Sequence, residues 1–183
     1  NASRQSPEQD IYPSFITRTE DFLAGTIGQT QDGTEFPYES ISGDSEHLCF
    51  IIHYGFNDFM WNVSPNTSSQ NDVSTFEGAL RSGITGLKEA YPNATILLVA
   101  PQLCTYYAGG DSIMNENGYT FDDYLAVIEK TANEMQVQLI DMPALINIDA
   151  TNYTDYYVDS FHHTEQGRFV TANHWINSLT AAK

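Results

Sequence analysis

Two short apolar runs constrain this chain more than anything else in it. Leu48-Cys49-Phe50-Ile51-Ile52-His53-Tyr54 and Ala94-Thr95-Ile96-Leu97-Leu98-Val99-Ala100 are continuous rather than alternating, the pattern of strands buried on both faces of a parallel sheet. The first stops at Gly55 and the second at Pro101, and a helix-patterned segment from Val73 to Ala90 lies between them. Strand, helix and strand in this order point to an α/β domain.

The rest of the chain continues the alternation. Ser6-Pro7-Glu8-Gln9 reads as an N-cap followed by a proline at the first helical position, and Ile11, Phe15, Ile16 and Phe22 recur at helical spacing, so a helix is expected from Pro7 to about Asp21. A glycine-rich turn from Ala24 to Thr30 then leads into a polar loop reaching about His47. Gln102 to Thr120, carrying Tyr106, Tyr107, Gly109 and Gly110, reads as an aromatic-bearing loop. Phe121 to Met135 is helical, Val137 to Ile140 a strand, and Pro143 to Val158 mostly loop. A last helix, Glu165 to Leu179, places Phe169, Ala172, Trp175, Ile176 and Leu179 on one face. With 183 residues, 41% of them hydrophobic, and no repeat or low-complexity linker, residues 1–183 read as a single domain.

Charge narrows the choice of partner. Seven basic residues against 24 acidic ones give a net charge of -17, which repels nucleic acid and anionic membrane and leaves neutral or cationic partners. No run approaches the roughly 18 apolar residues of a membrane span, and Asn1 to Asp10 lacks the apolar centre of a signal peptide. Two cysteines, Cys49 and Cys104, allow at most one bridge and are read as free thiols. Asn-x-Ser/Thr sequons at Asn1, Asn62, Asn66, Asn93 and Asn152, with scarce lysine, suit a secreted protein, although an Asn- and Thr-rich composition yields the same strings.

Two strings carry the chemistry. Gly55-Phe56-Asn57-Asp58 sets an amide at the end of a buried strand, where it can donate to an oxyanion, and Asp159-Ser160-Phe161-His162 sets a carboxylate three residues before an imidazole it can orient as a general base. Plainer readings exist for each. Asn57-Asp58 also fits a strand-to-helix turn capped by Asp58, Gly25 and Gly28 fit ordinary turn glycines, and His162 fits a loop histidine beside His163. A metal on Asp159, His162 and His163 lacks a well-spaced third ligand set, and His47, His53 and His174 read as structural.

Taken in chain order, the glycine-rich turn ending at Gly28, the Gly55–Asp58 string and the Asp159–His162 string resemble the SGNH (GDSL-type) hydrolases, and the order of helices and strands matches over nearly the whole chain. The resemblance implies a flavodoxin-like three-layer α/β/α sandwich around a parallel sheet. It also implies roles: Gly28 (backbone N–H) and Asn57 (side-chain amide) as oxyanion donors, His162 as the base and Asp159 as its orienting partner, with no metal or organic cofactor. The family's nucleophilic serine stands between a strand and the first helix, in a Gly-Asp-Ser block. Gly43-Asp44-Ser45 has those letters but lies in a polar loop before a strand and after Gly28, which reverses the family order. Ser3 and Ser6 have no strand before them. The resemblance therefore implies that the first strand and its serine precede Asn1, supplied by an N-terminal segment of the same precursor.

The expected activity is hydrolysis of small acyl esters through an acyl-enzyme. Tyr106, Tyr107, Tyr153, Tyr156 and Tyr157 would offer aromatic faces to a sugar ring, which makes an acetylated carbohydrate the expected substrate. A carbohydrate-binding module or pseudoenzyme on the same fold, and a sugar O-acyltransferase, are the competing expectations.

Overall fold

A computed structural model describes residues 14–25, 27–29, 35–37, 48–66, 69, 72–102, 113–146, 148, 151–159 and 162–181. Three parallel strands form the central sheet in the order β3-β4-β5: β3 (Cys49–His53), β4 (Thr95–Ala100) and β5 (Gln138–Asp141). Parallel neighbours need crossovers, and helices provide them. Helix α3 (Phe76–Ala90) links β3 to β4, and α4 (Phe121–Met135) links β4 to β5. Ile51 pairs with Leu97, and Val99 with Ile140, so the two apolar runs lie side by side.

Alternation along β4 divides the interior. Leu98 faces a core with Phe76, Leu80, Ile84, Tyr124 and Ile128 of α3 and α4, while Leu97 and Val99 face a second core with Ile140, Met142, Ile146 and Tyr157. Leu97, Leu98 and Val99 are all 0% exposed, and a fully buried side chain of this kind contributes about 1.5–3 kcal/mol. Helix α1 (Phe15–Ala24) packs on α3, and α7 (Glu165–Ala181) closes the opposite face over α5 (Met142–Leu145) and α6 (Tyr153–Tyr156). The result is the α/β/α layering expected from the sequence.

Local chemistry sets the helix ends. Thr75 and Thr120 begin α3 and α4, the latter through a capping box with Asp123. Glu77, 2% exposed, accepts from both Arg81 and Lys130 at 2.9 Å, while Arg81 also bonds Glu134, so α3 and α4 are tied by a charge network that is buried at Glu77 and Arg81 and half-exposed at Lys130 and Glu134.

Several expectations are corrected. Helix α1 is Phe15–Ala24, reaching past the expected end at Asp21: Ser14 accepts from the Thr17 N–H at 3.2 Å as its N-cap, Gly25 ends it in the left-handed region, and the expected start at Pro7 lies outside the described residues. Residues 1–13, including Ser3 and Ser6, lie outside the described residues, as do Ser45, His47, Cys104, Tyr106 and Tyr107. Gly28 is not in a turn. It lies within β1 (Ile27–Gln29), paired antiparallel with β2 (Glu35–Pro37) opposite Phe36. Strand β3 is not buried on both faces: Ile51 is 42% exposed and Cys49 and His53, on the same face by alternation, are exposed with it, and among the described residues β3 pairs on one side only, with β4. On α7 the expected apolar face is also rotated. Val170, Trp175 and Leu179 pack inward, whereas Phe169 and Ile176 are 68% and 56% exposed.

Candidate active site

The end of β3 is shaped by a glycine. Gly55 adopts φ 123°, and a Cβ there would meet Phe76 Cζ at 3.2 Å and Ile128 Cδ1 at 3.5 Å. Only a residue without a side chain can turn the chain so sharply against that core. Helix α2 (Phe56–Met60) starts immediately, with the Phe59 N–H bonded to the Gly55 carbonyl at 3.0 Å, which leaves Asn57 exposed at the carboxyl end of the sheet. The neighbouring Asp58 is 0% exposed and belongs to the interior, not to a surface cap.

The second string is held between α6 and α7. The Val158 N–H donates to the His162 carbonyl at 2.8 Å, and the Thr164 N–H to that of Tyr156 at 2.9 Å, so the segment returns on itself. Thr164 then caps α7 through the Gly167 N–H at 3.0 Å. A Cβ on Gly167 would stand 2.1 Å from the Tyr156 carbonyl oxygen, so α7 can approach α6 this closely only at a glycine. Within this loop Asp159 and His162 meet. One carboxylate oxygen lies 2.7 Å from His162 Nδ1, and the other accepts the His162 backbone N–H at 2.8 Å. A carboxylate on Nδ1 fixes the proton there and makes Nε2 the lone-pair nitrogen, the tautomer a general base requires.

Asn57 lines a cavity of about 270 Å³ together with Gly55 and His163, whereas His162 and Asp159 are not among its lining residues. Met142, Ile146 and Tyr157 also line it. Gly28 is not among the described lining residues. Two histidines passed over in the sequence do line it. His53 stands edge-on to Trp175 with ring centroids 5.5 Å apart, and His163 lies over Tyr157 at 4.6 Å. Burial, and then the charge of His163, lowers the His53 pKa to about 4. The residue is still exposed to water, but the protein around it disfavours its charged form. Burial, and then Arg168, lowers that of His163. The sequence signal for His163 was its adjacency to His162, and for His53 its place at the end of an apolar run; the register that sets His53 opposite Val99 is seen only in the structure.

Of the five tyrosines considered for a sugar platform, Tyr153, Tyr156 and Tyr157 are described. Tyr157 is 5% exposed and belongs to the second core, against which Tyr153 and Tyr156 pack. Among the described residues no three His, Cys, Asp or Glu side chains group as metal ligands, and no helix is long and apolar enough to cross a membrane.

Comparison with known proteins adds a family. The model of the GDSL-like lipase/acylhydrolase family matches residues 25–168, while no curated protein matches. Among solved structures, a protein from Lactobacillus plantarum is 22% identical with a TM-score of 0.67, covering 78% of this chain and 71% of its own. A possible lipase from Chitinophaga pinensis is 14% identical with a TM-score of 0.55, covering 97% and 94%. The salicylyl-acyltransferase of a tetracycline biosynthetic pathway is 16% identical with a TM-score of 0.55, covering 75% and 39%. At these identities the structures speak for the fold alone.

Proposed function

Because the chain belongs to the GDSL-like lipase/acylhydrolase family, we propose that it carries the base and oxyanion donors of a serine esterase acting on short acyl esters. The observation that supports this best is the Asp159–His162 pair, with ring and backbone N–H of one histidine on two oxygens of one carboxylate. In the proposed reaction His162 Nε2 takes the serine proton as Oγ attacks the ester carbonyl. The tetrahedral oxyanion is received by the Asn57 amide and the Gly28 N–H, donors worth roughly 3–4 kcal/mol each. Collapse expels the alcohol, which takes the proton from His162, and leaves an acyl-enzyme. Water activated by the same imidazole then releases the acid.

The serine in this reading comes from an N-terminal segment of the same precursor, laid as a strand along β3. Support comes from the one-sided pairing of β3 among the described residues and from the exposure of Ile51 beside that edge. The protein is proposed to be secreted. An acetylated sugar as substrate would rest on Tyr106 and Tyr107, since the described tyrosines are packed.

The test uses the natural full-length protein. Hydrolysis of p-nitrophenyl acetate, lost in His162→Ala, is expected, together with fluorophosphonate labelling of a serine upstream of Asn1. Labelling at Ser45 would refute the placement of the nucleophile; no turnover above background would favour a non-catalytic binding module. Products formed with an added sugar acceptor separate hydrolysis from acyl transfer.

A further inference from the structure

A second cavity, of about 210 Å³, lies where α2 ends, and it shares no described lining residue with the one beside Asn57. Phe59, Met60, Ile113 and Met114 give it apolar walls, and Asn62 and Glu116 are among the polar ones. Phe59 belongs to the core, but Met60 is 40% and Met114 65% exposed, so two polarisable thioethers meet water beside the cavity. Hydrogen bonds hold the segment after Ile113 onto α2. Asn115 Nδ2 donates to the Phe59 carbonyl at 3.2 Å and Asn117 Nδ2 to that of Asn62 at 2.7 Å, while Met114 bridges back to Thr120. Asn62, in the left-handed region at φ 58°, commits its whole side-chain amide to Glu116: Oδ1 accepts the Glu116 N–H at 2.7 Å and Nδ2 donates to Glu116 Oε2 at 3.3 Å. The carboxylate is thereby fixed in the cavity wall, and among the described residues no cation pairs with it.

Walls of carbon and sulfur with one fixed carboxylate among them select for charge as well as for shape. Among the described residues no basic side chain lines the cavity, and the chain carries a net charge of -17, which concentrates cations around it and repels anions. At roughly 30 Å³ per water-sized group, 210 Å³ admits about seven such groups, the size of a benzyl group. Methionine sulfur makes favourable contacts with the edge of an aromatic ring. We propose that this cavity is a binding site for a small aromatic cation, with the ring against Met60 and Met114 and the ammonium on the Glu116 carboxylate. The site stands apart from the proposed ester chemistry and does not rest on it.

The experiment follows the methionine methyl groups by NMR in the isotopically labelled full-length protein, with benzylammonium as the probe. Of the four methionines in this chain, Met60 and Met114 should shift and Met135 and Met142 should not. Saturation is expected at a Kd of about 1–10 mM for a ligand of this size. Met142 lines the cavity beside Asn57, so a response there in place of Met60 and Met114 overturns the assignment. Benzyl alcohol carries the ring without the charge and should bind about two- to fivefold more weakly, the worth of one exposed ion pair. Phenylacetate should leave both methyl signals in place. Glu116→Gln should bring benzylammonium down to the affinity of benzyl alcohol and leave benzyl alcohol unchanged, a pattern that loss of folded protein does not produce. Met114→Ser, at an exposed position, assigns the Met114 signal and should weaken both ligands. Equal affinity for the charged and neutral ligands, or undiminished benzylammonium binding in Glu116→Gln, overturns the cation site. Met60 and Met114 signals that answer to neither ligand overturn the cavity as a site of any kind.

Discussion

Replacing Asp159 by asparagine keeps the shape of the side chain and removes its charge. In the folded chain the two carboxylate oxygens serve two donors on His162, ring Nδ1 at 2.7 Å and the backbone N–H at 2.8 Å. Asparagine offers one oxygen in place of two. With that oxygen on the backbone N–H, its own N–H points at Nδ1 and drives the ring proton to Nε2, the nitrogen that must accept from serine. Flipped, the amide sets one N–H against another. A hydrogen bond to a charged group contributes about 1.5–3 kcal/mol, so kcat/KM should fall roughly 10- to 150-fold at 1.36 kcal/mol per decade. A buried pair in a serine protease loses about 10⁴ by this change. Here Asp159 and His162 are 48% and 73% exposed, water competes for both, and the smaller loss is expected. The assay is p-nitrophenyl ester hydrolysis by the full-length protein, with urea melts alongside to separate a loss of folded protein from a loss of rate. In a His162→Ala background, Asp159→Asn should cost nothing further, because the carboxylate acts only through the imidazole. A rate within about twofold of wild type, or a further tenfold loss without His162, refutes the orienting role.

Other perturbations test the frame around the site. Gly55→Ala forces a Cβ against Phe76 at a φ of 123°, which should cost about 1–3 kcal/mol and lower kcat more than it raises KM; full stability would mean that the turn is not strained. Glu77→Gln leaves Arg81 and Lys130 without their shared carboxylate, and although Glu134 still compensates Arg81, urea midpoints should report a loss near 3 kcal/mol. Protonation of His53, with a folded pKa of about 4 against an ordinary 6.5, favours the unfolded chain. Its stabilising share is therefore present above pH 6.5 and lost as pH falls towards 4. Only part of the shift becomes stability, since the residue is still exposed to water. Denaturation from pH 7 to 5 should be less pH-dependent in His53→Gln, and parallel curves would remove His53 as a cause.

Where the controlling interactions are local, the sequence was readable. Helix α4 runs from Phe121 to Met135 as expected, because Thr120 and Asp123 cap it and its apolar positions keep a helical period. The pairing of Asp159 with His162 spans three residues and depends on one turn of chain. Gly28 was misplaced because its strand exists only through pairing with Glu35–Pro37, which no local pattern announces. The inward side of α7 was misjudged for a related reason. Apolar residues occur all round that helix, and the contacts of α5 and α6 select Val170, Trp175 and Leu179. His53 and His163 entered the site through register and a ring contact, both tertiary.

The one-sided pairing of β3 bears on how the chain behaves in a test tube. Among the described residues, Cys49 to His53 present a row of backbone donors and acceptors along the edge away from β4, and the strand includes the exposed Ile51. An edge of that kind is a template for any extended peptide, including the same edge of another molecule. Preparations of residues 1–183 should accordingly form concentration-dependent oligomers, and a short extended peptide that docks along β3 should act as a solubilising additive.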